Sequence, residues 1–187
     1  MKTYKAKIEG TTPYSQSKHY EADKLDKESP DAYEKRTWRN RMHVDEAGHV
    51  FVPPMAIKNC LSEAAKFLSV TIKGKGKATY TKHFEAGIVV LDPMRLSVRA
   101  EAVIGETLFV PADGKRGSGK RVSKTFPYIP PGWTGEATIT VIDETITKDV
   151  LMEHLKEAGN LIGIGRFRPR NNGFYGRFSV TALDEVA

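Results

Sequence analysis

Apolar and polar residues alternate at the start of the chain: Tyr4, Ala6 and Ile8 are interleaved with Lys5, Lys7 and Glu9. A period of two turns one set to each face of a strand, so residues 3–9 are predicted to form a strand with one buried face. Gly10, Thr11, Thr12 and Pro13 end it. The alternation returns over 133–143, where Ala137, Ile139 and Val141 oppose Glu136, Thr138 and Thr140. Shorter runs at 79–84, 87–91, 95–102 and 107–110 read as further strands, and 176–182 as the last. Residues 42–44 and 49–52 read as hairpin arms around an Asp45-Glu46-Ala47-Gly48 turn. Two segments have a helical period instead. After Val52-Pro53-Pro54, the residues Met55, Ile57, Cys60, Leu61, Ala64, Ala65 and Leu68 mark a helix over 55–68. Val150, Leu151, Leu155 and Ala158 mark a second over 148–158, with Thr147 as its N-cap and Gly159-Asn160 as a C-cap signal.

The remaining stretches are polar. Residues 15–40 mix charges and carry few apolar side chains, which predicts an exposed, mobile insertion with a short helix at 30–36. Residues 113–124 are rich in Gly, Lys and Arg, and Pro127, Pro130, Pro131 and Gly132 form a stiff connector. The order of strand, insertion, hairpin, helix, strands, helix and strand lacks a regular βαβ rhythm. It predicts an α+β fold, an antiparallel or mixed sheet with two helices on one face. The 187 residues suit a single domain, 1–187, with insertions at about 15–42 and 111–132.

Composition adds an anionic partner. The chain carries 29 Lys and Arg against 23 Asp and Glu, a net charge of +6. Its one cysteine, Cys60, excludes an intrachain disulfide and a Cys-rich zinc site, and its apolar helical setting reads as a buried thiol. No apolar run approaches the ~20 residues of a membrane span. The first eight residues contain no secretory core, so a cytoplasmic protein is expected.

The cations gather into three segments. In the first, Lys35, Arg36, Arg39 and Arg41 surround Trp38. The second holds Lys115, Arg116, Lys120, Arg121 and Lys124 among glycines. Its spacing from Gly114 to Gly119-Lys120 imitates a phosphate-binding loop. However, Arg121 stands where a magnesium-binding hydroxyl is needed, and the prolines that follow forbid the helix such a loop opens. Nucleotide hydrolysis is thereby excluded, leaving non-specific phosphate contact. The third segment, 163–178, holds Gly163, Gly165, Gly173 and Gly176, Arg166, Arg168, Arg170 and Arg177, and four aromatics, with no acidic residue. It does not complete a dinucleotide-binding glycine pattern, because position 168 is Arg and the segment follows a helix. Arginine forks suit phosphates, and aromatic faces suit unstacked bases. On an extended backbone Arg166, Arg168 and Arg170 would share one face. Phe174 and Phe178 read as core residues of the last strand. The competing reading is a Gly-rich hairpin with solvated arginines.

The histidines are His19, His43, His49, His83 and His154. His43 and His49 flank Asp45 and Glu46 but lack a third ligand, so neither a metal nor a cofactor is expected. His19, beside Tyr14, Ser15 and Lys18, offers general acid–base chemistry for metal-independent RNA cleavage.

Three pieces resemble the CRISPR-associated RAMP superfamily. They are the strand and loop Ile8-Glu9-Gly10-Thr11-Thr12-Pro13, the helix entry Val52-Pro53-Pro54-Met55-Ala56-Ile57-Lys58-Asn59, and the Gly-rich loop 163–176 leading into the final strand. The resemblance implies a ferredoxin-like (RRM-like) fold and a non-catalytic RNA-binding subunit that lies along a guide strand and self-assembles, head to tail, in a ribonucleoprotein complex. It places Lys58, Gly163, Gly165, Arg166, Arg168 and Arg170 toward RNA. Arg36, Trp38, Arg39 and Arg41, with the 114–124 cations, join them on charge alone. Two other functions remain open: a RAMP-type endoribonuclease acting through a histidine, and a phage or mobile-element interaction module that docks through residues 15–40.

Overall fold

In a computed structural model, which describes residues 1–186 apart from Arg116 and Ser118, the first predicted strand lies within the sheet and not at its edge. This strand, β1 (Lys2–Gly10), pairs antiparallel with β7 (Thr134–Val141) on one side and β8 (Phe178–Val186) on the other. Beyond β7 come β4 (Met94–Arg99) and the two-residue β3 (Ile88–Val89), and β2 (His49–Val52) pairs with β4. The alternation seen in the sequence sorts the faces as expected. Tyr4, Ala6, Ile8, Ala137, Ile139 and Val141 are buried, while Lys5 and Glu136 stand on the other face and pair at 2.9 Å.

The buried face is covered by α2 (Pro54–Leu68) and α4 (Lys148–Glu157). Helix α2 contributes Ile57, Cys60, Leu61, Ala64 and Ala65 to the core, and α4 contributes Leu151 and Leu155. The Thr147 hydroxyl accepts from the Val150 amide at the start of α4, the expected N-cap. In chain order β1, α2, β4, β7, α4 and β8 form the β-α-β-β-α-β pattern, with spatial order β8-β1-β7-β4, which is the ferredoxin-like arrangement. The expected α+β class, antiparallel sheet and pair of covering helices are all present.

Several local expectations are corrected. Residues 79–84 do not form a strand; they lead into the helix α3 (Thr81–Gly87). Lys58 Nζ accounts for this, donating to the Phe84 and Glu85 carbonyls at 2.7 and 2.8 Å and so capping the end of α3. Residues 100–102 turn as a 3₁₀ helix and do not extend β4. The second basic segment is not simply a loop: β5 (Ile104–Pro111) and β6 (Arg121–Tyr128) pair as a separate two-stranded hairpin, and Pro127 lies inside β6. Helix α4 does not stop at Gly159. It continues as one π turn, Ala158–Ile162, and ends where Gly163 takes φ 70. Met55 and Phe174 are exposed, whereas Phe178 is in the core as expected.

The polar insertion is exposed over most of its length, as expected, and is anchored at several points. Tyr14, Ser15 and Gln16 are buried, and the Gln16 amide donates to the Phe51 carbonyl and accepts from the His43 amide. Ser29 caps α1 (Pro30–Thr37), whose Glu34 forms a buried ion pair with Arg41 at 3.0 Å. Glu34 also accepts from the Thr125 amide, and Arg41 donates to the Thr125 carbonyl, which fastens the insertion to β6. No described helix is long and apolar enough to cross a membrane.

Removing one member of a buried ion pair strands the other, at a typical cost of about 3–5 kcal/mol. Glu34→Ala is therefore predicted to lower the urea-unfolding free energy by about 3 kcal/mol. A Glu34→Leu/Arg41→Met double variant should recover most of that loss. A double variant as unstable as the single one would contradict this assignment.

Candidate nucleic-acid interface

The Gly-rich loop folds on itself and against the residues that follow β1. Gly176 N donates to Pro13 O at 2.7 Å and Arg166 N to Ser15 O at 2.9 Å. Within the loop, Ile164 N donates to Gly176 O and Tyr175 N to Phe167 O. This close approach needs glycine: a Cβ at Gly165 would collide with the Ser15 carbonyl, and one at Gly176 with the Ile164 carbonyl. Gly163 is buried, and its carbonyl faces the Cys60 thiol at 3.3 Å. Gly163 and Gly165 therefore shape the loop.

The arginine row expected on one face is not there. Phe167 adopts φ 54 and Pro169–Asn171 forms a 3₁₀ turn, so the backbone is not extended. Arg168 turns to α2 and pairs with Glu63 at 2.8 Å. Arg170 lies 5.9 Å above the Phe67 ring on the same helix. Arg166 points elsewhere, with its guanidinium 3.4 Å from the Phe126 ring centroid and 4.4 Å from that of Phe167.

Arg166 has no carboxylate partner among the described residues. Its Nε is buried with no hydrogen-bond partner, and its Nη1 reaches only the Ser17 hydroxyl, at 3.5 Å. Burial, and then repulsion from Arg41, lower its pKa to about 10, so it stays charged at neutral pH. The contrast with Arg41 is direct. Arg41 is neutralised by Glu34 and lies between the Tyr20 and Phe126 rings, 5.2 Å from each.

Three adjoining depressions meet around Ser17, Arg41 and Arg166. The first, of about 410 Å³, lies between the hairpin residues Val110, Lys124 and Phe126 and the loop residue Phe167. The second leads past Lys18, His19 and Tyr20. The third leads past Tyr14, His43 and Pro53 to Ala56 at the start of α2. Insertion, hairpin and Gly-rich loop, distant in sequence, thus build one groove carrying Lys18, Arg41, Lys124 and Arg166. Its mouth includes Gly114, which places the hairpin tip with Lys115, Lys120 and Arg121 beside it, all three exposed. Arg116 lies outside the described residues.

The other sequence candidates are engaged elsewhere. Arg36 forms two hydrogen bonds to Glu28, at 2.7 and 2.9 Å. Trp38 packs against the core, and Arg39 stacks on it at 4.4 Å while donating to the Ala100 carbonyl. Lys58 uses its three donors on Ser62, Phe84 and Glu85. Sequence reasoning missed Lys18, Ser17 and Phe126. The signal for Phe126 was present in the period-two spacing of Lys124, Phe126 and Tyr128, which the prolines beyond concealed.

The histidines are dispersed. His154 is fully buried and stacked on Phe84 at 4.3 Å. His83 bonds Asp143 at 2.6 Å, holding that carboxyl down at about 2. His43 is partly buried, which lowers its pKa, with Lys18 adding to the effect. Burial raises the Cys60 thiol to about 12. Among the described residues no group of three His, Cys, Asp or Glu side chains is placed to hold a metal ion.

An unpaired, half-buried cation opposes folding, and at neutral pH that cost is fully present because the group is charged in both folded and unfolded chains. Arg166→Met should therefore melt at the same temperature as the parent or higher. Sulfate should raise the melting temperature of the parent by more than that of the variant. A variant that melts well below the parent, or one that responds equally to sulfate, would refute an uncompensated anion-seeking charge.

No family model and no curated protein matches the sequence. Among solved structures, a subunit in the cryo-EM structure of the type III-B Cmr-beta complex bound to cognate target RNA superposes with a TM-score of 0.59 at 10% identity. The match covers 99% of this chain and 60% of that one, so this chain spans less than two thirds of that subunit's length. Cmr6 from Pyrococcus furiosus superposes with a TM-score of 0.52 at 11% identity, covering 95% of this chain and 97% of that one. At such identities the likeness is one of fold alone, and the ferredoxin-like fold is what this chain shares with these two Cmr structures.

Proposed function

We propose that the protein is a non-catalytic RNA-binding subunit of a CRISPR-type ribonucleoprotein, holding a single strand by its phosphates in the groove around Arg166. The observation that carries this reading is the uncompensated Arg166 guanidinium, fixed on Phe126 and Phe167 with a buried N–H that has no acceptor. A phosphate oxygen supplies the missing counter-charge. Lys18 and Lys124 along the groove, and Lys115, Lys120 and Arg121 at the hairpin tip, extend the positive track. Half-exposed aromatics offer stacking that does not depend on sequence. The fold shared with a subunit of an RNA-bound complex supports the same reading.

Hydrogen bonds to charged groups are typically worth about 1.5–3 kcal/mol, so Arg166→Ala should weaken single-stranded RNA binding by roughly ten- to a hundredfold. Each lost phosphate contact should reduce the salt slope by about 0.7 for a single strand, for Arg166→Ala and Lys124→Ala alike. Arg36→Ala and Arg39→Ala should leave the slope unchanged. Fluorescence anisotropy across a salt series measures this, and the same slope in all four variants would overturn the groove as the binding site.

A second reading is kept open by His19 and His43, each of which lines a depression adjoining Arg166. Labelled RNA incubated in EDTA should stay intact. Cleavage that disappears in His19→Ala or His43→Ala would instead establish metal-independent ribonuclease chemistry.

A further inference from the structure

We infer that the bound strand continues from the Arg166 groove along α2 and is held at the far end by a second contact surface, the Phe67–Arg170 pair and the lysine turn at 73–77. The inference rests on the RNA reading above. The third depression ends at Pro53 and Ala56, the first turn of α2. From there the Gly-rich loop accompanies the helix. Arg168 pairs with Glu63, and Arg170 covers Phe67 one turn further along. From Ala56 to Phe67 the helix rises about 16 Å, the reach of a few nucleotides. The Arg168–Glu63 pair neutralises the carboxylate on this face, so a phosphate passing it is not repelled.

Phe67 is 54% exposed, and the Arg170 guanidinium lies above its ring. An exposed aromatic with a guanidinium beside it is a platform for an unstacked base and its phosphate. Just past the end of α2 the chain forms a tight turn: Ile72 N donates to Ala78 O, and Thr71 bridges to Thr79. Gly74 and Gly76 take φ 80 and 60 with open space around both. Lys73, Lys75 and Lys77 alternate with these glycines, and all three are exposed, as is Lys66 in the last turn of α2. Among the described residues none of the four has a carboxylate partner. These four exposed cations, in the last turn of α2 and just past its end, suit the phosphates of a nucleic-acid strand.

The test compares binding of a short oligouridylate, of about six nucleotides and filling the groove alone, with one of about eighteen that can also reach the lysine turn. In Lys73→Ala/Lys75→Ala/Lys77→Ala the salt slope for the long RNA should fall by about 2, three phosphates at about 0.7 each, toward that of the short one. Binding of the short RNA should not change. Phe67→Ala should weaken the long RNA about tenfold without changing its slope, and Phe67→Trp should restore it. Arg166→Ala should weaken both RNAs. A triple variant that keeps the parental slope on the long RNA, while the parent binds both, would overturn this surface and leave the groove standing. A parent protein that binds neither RNA would overturn the RNA reading and this inference with it.

Discussion

Two guanidinium groups stand beside one another in this protein, and only one has a counter-charge. Arg41 is neutralised by Glu34 and bound to the backbone of β6, so it holds the insertion against the hairpin. Arg166 is fixed next to it on Phe126 and Phe167 with no carboxylate partner among the described residues. A chain that needed only stability would pair or remove such a charge, because burial of an unpaired cation is costly. Its retention makes sense if the partner is a separate anionic molecule. The groove exists because Arg41 and Glu34 hold two of its walls together, and it attracts anions because Arg166 is left over.

The ferredoxin-like core makes that juxtaposition possible. β1 and β8 are neighbours, so the loop that precedes β8 returns to the chain that leaves β1, and backbone hydrogen bonds at Pro13 and Ser15 join the two. The insertion following residue 15 and the Gly-rich loop therefore meet at one end of the sheet. The hairpin β5–β6 is a separate sheet, attached through Thr125, and it closes the third side. Variation in any of the three segments would change the groove without touching the core.

The core was legible in the sequence, because one-sided burial writes a period of two into β1 and β7 and a helical period into α2 and α4. Thr147 showed where α4 begins. The failures share a physical cause: they are places where tertiary contacts overrule local pattern. Residues 81–87 are helical with Lys58 capping them, a contact 26 residues away for Phe84. The π turn after α4 carries the chain past an apparent Gly159 stop. The basic candidates could not be sorted from composition. Arg36, Arg39, Arg41, Lys58 and Arg168 all find partners inside the fold, and only the three-dimensional structure distinguishes them from Arg166. The expected geometry, a row of arginines on an extended strand, is absent because Phe167 turns the backbone.

The most direct measurement is the side-chain NMR spectrum of ¹⁵N-arginine-labelled protein as single-stranded RNA is added. The Arg166 Nε–H resonance should shift as the RNA binds, while that of Arg41 changes little. RNA binding that leaves the Arg166 resonance in place, and moves the signals of other arginines instead, would contradict the account.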